Sequence, residues 1–193
     1  MHNPGFESGT NEDITRDEIH FRRIDIRGFR RSDGLFEVEG RVIDRKPYDL
    51  DSTHGRIVPA GEPIHDMGLR LVFDDEMIVH DIKTFTDAAP YEACPGGGAV
   101  LQHLKGLRMT SGWNKEVRSR IAKERSCTHL VELLGPMATV AFQSLSTMRR
   151  GRPDATDATG RPAKIDSCYA YAADGELVRQ RWPDFHQPAP PKE

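Results

Sequence analysis

IHDMGLRLVFDDEMIVHDIKTFTD, residues 64–87, is the stretch from which the fold is read. Met67, Leu69, Leu71 and Phe73 alternate with Asp66, Gly68 and Arg70, the period of two that marks a strand with one buried face. DDE predicts a tight turn. MIVHDIKTFTD then predicts a returning strand, with Ile78, His80 and Ile82 on one face and Met77, Val79 and Asp81 on the other. The two strands make an antiparallel meander, and His65 stands at its open end.

Upstream, HFRRIDIRGFRR at 20–31 alternates apolar and basic side chains, SDG makes a turn, and LFEVEGRVIDR at 35–45 alternates Leu35 or Phe36, Val38 and Val42 with charges. This predicts a β-hairpin. Arg22, Arg23, Arg27, Arg30 and Arg31 could face a polyanion, but Asp25, Asp33, Glu37 and Glu39 interleave with them and are placed to pair across the hairpin. Residues 45–60 carry two prolines, a glycine and no period, which predicts a loop.

Downstream, Cys94-Pro95 predicts a helix start, since proline suits the first helical position, and Val100, Leu101 and Leu104 keep helical spacing up to Lys105-Gly106. Gly96, Gly97 and Gly98 cost helix stability and admit a close backbone neighbour. No Lys-Ser/Thr pair follows them, which weighs against a phosphate-cradling loop. WNKEVRSRIA at 113–122 predicts a short amphipathic helix. From Ser126, Leu130, Leu133, Leu134, Met137, Ala138, Ala141, Phe142, Leu145 and Met148 predict the strongest helix, with Gly135-Pro136 as a kink.

The fold class is therefore α+β: an antiparallel sheet of four to five strands packed on a few C-terminal helices, with the meander-then-helices order running over 61–148. We expect residues 1–15 to be a polar lead-in, 16–148 one domain, 149–164 a linker rich in Pro, Gly, Asp and Thr, 165–186 an appended segment ending in a strand-like ELVRQRW, and 187–193 a tail.

At 193 residues and 37% hydrophobic content the chain can bury the core of one ordinary domain. A net charge of −3 argues against a general nucleic-acid binder. No apolar run approaches the ~20 residues that span a bilayer, and MHNPGFESGTNED lacks the basic and apolar regions of a signal peptide, so we expect a cytoplasmic protein that does not engage membranes. Three cysteines, an odd number, suit thiols or ligands better than a disulfide framework.

The chemistry gathers in three blocks, GEPIHDM at 61–67, YEACPGGGAVLQHLKGL at 91–107 and SCTHLVELL at 126–134. They hold His65, Asp66, Cys94, Cys127 and His129. Cys94 and Cys127 both fall at expected helix N-termini, where amide groups and the helix dipole favour the thiolate that binds metal or attacks an electrophile. With His65 and Asp66 they form a set that suits a single zinc or iron ion and can also take an iron-sulfur cluster. The alternative is an enzyme with Cys127 or Cys94 as nucleophile and His129 or His65 as base, acting for example on a thioester. A third reading is a structural accessory subunit of a catabolic enzyme system, its cysteines being core. No Gly-x-Ser-x-Gly elbow, deaminase box or dinucleotide fingerprint is present. Cys168 receives no role.

FRRSDG, VIDRKPYD, GEPIHDM, APYEACP, SCTHLVELL, VAFQ and the late DSC together resemble a bacterial domain family of unknown function, over nearly the whole chain. Over 61–145 the chain is also similar to the U-type scaffold on which iron-sulfur clusters are assembled. That second resemblance implies ligand roles for Cys94 and Cys127 and matches Asp66 to the aspartate beside the scaffold's first cysteine. It also implies a client enzyme or subunit as protein partner. His65 stands where the first cysteine is expected, and 113–125 holds no counterpart of the chaperone-docking segment.

Overall fold

Two hairpins sharing a central pair of strands build the sheet. The computed structural model of the chain describes residues 14–51, 57–146, 148 and 153–188; most of the expected lead-in and tail, and the start of the expected linker, lie outside them. Contacts divide the chain into two units, one ending at Thr147 and one beginning at Met148.

In the first unit, β1 (Phe21–Arg30) and β2 (Phe36–Arg45) pair antiparallel from Phe21 opposite Arg45 to Arg30 opposite Phe36. Asp33 caps the turn between them by accepting the Leu35 N–H, and Gly34 supplies its positive φ of 87°. Two-residue strands β3 (Leu50–Asp51) and β4 (Ile57–Val58) pair with each other. β5 (Pro63–Phe73) then lies against β2, and β6 (Val79–Ala88) against β5, for a four-stranded antiparallel sheet of order β1-β2-β5-β6.

The sheet buries one face. Phe36, Val38 and Val42 of β2 and Met67, Leu69, Leu71 and Phe73 of β5 are all core residues, as the alternation predicts. Beyond the sheet come a 3-10 segment (Cys94–Leu104), α1 (Trp113–Arg120) and α2 (Thr128–Ser146). Leu130, Leu133, Leu134, Met137, Ala141 and Leu145 of α2 are buried at helical spacing, and Pro136 lies inside that helix. α2 contacts β1, β2 and β5. The approach is close at Gly40, where an added Cβ would stand 2.6 Å from Met137 Sδ. Trp113 of α1 is buried and donates its indole N–H to Leu134 O at 3.0 Å.

Two local expectations change in this unit. The glycine-rich segment after Cys94 is 3-10 rather than α, in keeping with three glycines behind a proline. Its glycines serve packing: Cys127 N–H donates to Gly97 O at 3.1 Å, and a Cβ on Gly97 would lie 2.7 Å from that same nitrogen. In β6 the register shifts opposite Val72/Phe73, so Val79 and Ile82 are both buried while His80 is exposed, against the strict alternation expected there.

In the second unit, Asp157 accepts N–H bonds from Thr159 and Arg161 inside a turn closed by the Thr156–Pro162 bridge. Asp154 pairs with Lys164 at 2.6 Å and Arg181 at 3.1 Å. This places hydrogen-bonded structure where linker was expected. ELVRQRW is likewise a helix over most of its length, α3 (Glu176–Arg181), rather than a strand. Glu176 in its first turn accepts from Arg179 and Gln180, the i,i+3 and i,i+4 contacts of a helix. No helix among the described residues is long and apolar enough to cross a membrane.

Candidate metal centre

Asp44 continues the buried series of β2 after Phe36, Val38, Gly40 and Val42, so strand parity turns a carboxylate toward the core face. The sheet register sets Arg22 of β1 on one side of it and His65 of β5 on the other. Arg22 donates Nε–H to Oδ1 at 2.7 Å and Nη2–H to Oδ2 at 2.8 Å, a bidentate pair, and reaches Glu132 of α2 with Nη1 at 3.0 Å. His65 Nδ1 lies 3.0 Å from Asp44 Oδ2. His20, just before β1, brings Nε2 to 3.3 Å from Oδ1.

His129, in the first turn of α2, completes the group. Its ring centroid is 4.0 Å from that of His65, with 36° between planes, and its Nε2 is 3.8 Å from Asp44 Oδ2. One ligand atom from each of Asp44, His65 and His129 lies within 4.8 Å of the other two. Donors held about 2.0–2.3 Å from one tetrahedral ion stand about 3.3–3.8 Å apart; the His129–Asp44 separation of 3.8 Å falls there, and the His65–Asp44 separation of 3.0 Å is that of a hydrogen bond. Asp44 is 1% exposed, against 17% for His65 and 22% for His129, so the group opens to solvent on its imidazole side.

The electrostatics fix protonation states. Burial pushes the Asp44 carboxyl up, but the Arg22 hydrogen bonds and charge, with His65 and His20, outweigh it and hold the group below the usual carboxylate range. Burial, followed by the neighbouring His129, pushes His65 below the ordinary imidazole value, and Asp44 only partly opposes this. These surroundings favour the neutral form of His65. A carboxylate oxygen lies 3.0 Å from its Nδ1.

The expected site residues divide. His65 and His129 come together as members of the group. Cys127 stands beside it, its Sγ 3.9 Å from His129 Nδ1 and 3.5 Å from Met67 Sδ. Asp66 does not join: it follows His65 in β5, so it faces the other side of the sheet, where Arg41 grips both its oxygens at 2.6 Å. Cys94, half-buried at the start of the 3-10 segment, and Cys168, exposed in the second unit, are not members either. Asp44 and Arg22 are the functional candidates that sequence reasoning missed. The available signal was an acidic residue on the apolar parity of VEGRVID.

Among comparisons with known proteins, a family described as protein of unknown function, DUF2889, matches residues 20–143. No curated protein and no solved structure matches, so the likeness to the iron-sulfur scaffold gains no support from that side.

Proposed function

The chain belongs to the DUF2889 family of proteins of unknown function, and from its own side chains we propose that it is a metal-binding accessory protein. It holds a single ion, zinc or iron, at Asp44, His65 and His129 and serves a partner enzyme. The observation that carries this reading is the convergence of two imidazoles, in ring contact with each other, on one buried carboxylate. Two nitrogens and an oxygen with a solvent-facing side suit zinc or ferrous iron. Arg22 then holds the carboxylate in place, as outer partners of ligating carboxylates do.

The test is metal content of protein purified anaerobically without a metal-affinity tag. About one zinc or iron per chain is expected, with His65→Ala and His129→Ala each losing about 10- to 100-fold or more in affinity. His80→Ala is the control, because His80 is exposed and bound to Asp74 instead. Equal loss in His65→Ala and His80→Ala, or no loss in either, sinks the assignment.

One observation favours a second reading. Among the described residues Cys127 alone of the three cysteines has an imidazole within reach, and the other nitrogen of that imidazole faces Asp44. This Cys127–His129–Asp44 order has the form of a thiol nucleophile, its base and the group that orients the base. In metal-free protein at neutral pH, iodoacetamide should then modify Cys127 faster than Cys94, and His129→Ala should remove the difference. Equal rates for Cys127 in the two proteins would discard the enzyme reading.

A further inference from the structure

The sulfur atoms beside the histidines have no place in a zinc or iron site built from Asp44, His65 and His129. Met67 follows His65 by two residues in β5, so both side chains rise from the same face. Met67 is 1% exposed, and its Sδ accepts the Cys127 thiol at 3.5 Å. Cys127 Sγ is in turn 3.9 Å from His129 Nδ1. A thiol, a thioether and an imidazole nitrogen therefore adjoin, with the thioether as floor and the imidazole toward solvent. The 3.5 and 3.9 Å separations from Cys127 Sγ are close to those of donors about 2.0–2.3 Å from one shared ion.

Asp44 is held by two hydrogen bonds from Arg22 and faces one nitrogen of each imidazole, Nδ1 of His65 and Nε2 of His129. Nδ1 of His129, the nitrogen on the other side of that ring, is the one that faces Cys127 Sγ. Thiolate and thioether are soft donors and select copper(I) over harder ions. Beyond the zinc or iron reading above, on whose placement of His129 it rests, we infer a second, adjoining donor set selective for copper(I), with Cys127 Sγ, Met67 Sδ and His129 Nδ1 as ligands and the Arg22–Asp44 pair behind the His129 ring. Binding costs the thiol its proton, which goes to solvent; no electron is transferred.

The experiment is a copper(I) titration of the reduced full-length chain under anaerobic conditions, in competition with the chromogenic chelator bicinchoninate, alongside a zinc competition titration. The native chain should withdraw one copper(I) and develop a thiolate-to-copper(I) charge-transfer band in the near ultraviolet. Met67→Leu conserves volume and is tolerated in cores at under about 1.5 kcal/mol, so the fold survives. It should weaken copper(I) binding about tenfold or more, and Cys127→Ser about a hundredfold, while zinc affinity in Met67→Leu changes less than about threefold. Cys127 is half-buried, so its serine variant reports even where the Met67 variant is poorly folded. Copper(I) affinity unchanged in both variants overturns the inference and leaves the zinc or iron site standing. If the native chain binds neither metal, both readings fall.

Discussion

Asp44 is a carboxylate with 1% exposure surrounded by one guanidinium and three imidazoles, and most of its compensation comes from Arg22. Breaking a buried pair from one side strands the other charge, which costs more than the pair contributes. Arg22→Met keeps the aliphatic stem and removes the charge. With Arg22 itself 35% exposed, we expect a loss of about 2–3 kcal/mol in urea unfolding at pH 7. Asp44→Asn should cost much less in the Arg22→Met background than alone, a coupling of about 1–3 kcal/mol. Additivity within about 0.5 kcal/mol would mean that Arg22 does not hold the carboxylate. At this scale the sequence was only partly legible. His65 and His129 stand out by residue type and position. Asp44 and Met67 enter the site through cross-strand register and helix placement, which no local pattern displays.

The β5–β6 turn shows the same limit one level up. DDE announces the turn, but its construction depends on a single side chain: Asp74 Oδ1 accepts the N–H groups of Glu76 and Ile78, both at 2.9 Å, and Oδ2 is 2.7 Å from His80 Nε2. Met77 takes a φ of 68° there and is still buried, so it leaves the strand pattern and the following alternation is offset by a bulge. The hairpins are legible because alternation and turn residues are local. The bulge and the 3-10 segment are not, since tertiary contacts decide them. Burial pushes Asp74 up, but His80 and the two backbone N–H groups outweigh it and hold its carboxyl below the usual value. A depressed folded-state pKa gives stability that is complete above the unfolded value of about 3.9 and is lost as pH falls through the folded one. Asp74→Asn should therefore cost about 1 kcal/mol at pH 7. The gap to the native chain, read by urea unfolding, should narrow below about pH 4. A gap independent of pH would show that shape, not charge, is what Asp74 contributes.

At the scale of the molecule, the family match over residues 20–143 falls entirely within the unit that ends at Thr147. The large hydrophobic cluster does too, its buried members running from Phe36 to Leu145. Every side chain assigned to the metal centre belongs to that unit. Met148–Glu193 carries its own internal contacts, among them the Asp154 pairs with Lys164 and Arg181 and the stacking of Arg181 on Trp182. Composition drew attention to this boundary through a Pro- and Gly-rich run, but composition does not tell a linker from a hydrogen-bonded turn. A unit with its own continuous core folds alone. A chain ending after Thr147 should unfold in one cooperative thermal transition, within about 5 °C of the matching transition in the full chain, since a few degrees correspond to about 1 kcal/mol at this size. It should also keep its metal stoichiometry, because the cage loses no member. A fragment that is folded yet metal-free would mean that residues beyond 147 supply part of the centre. One without a cooperative transition would mean that the core from Phe36 to Leu145 is not self-sufficient.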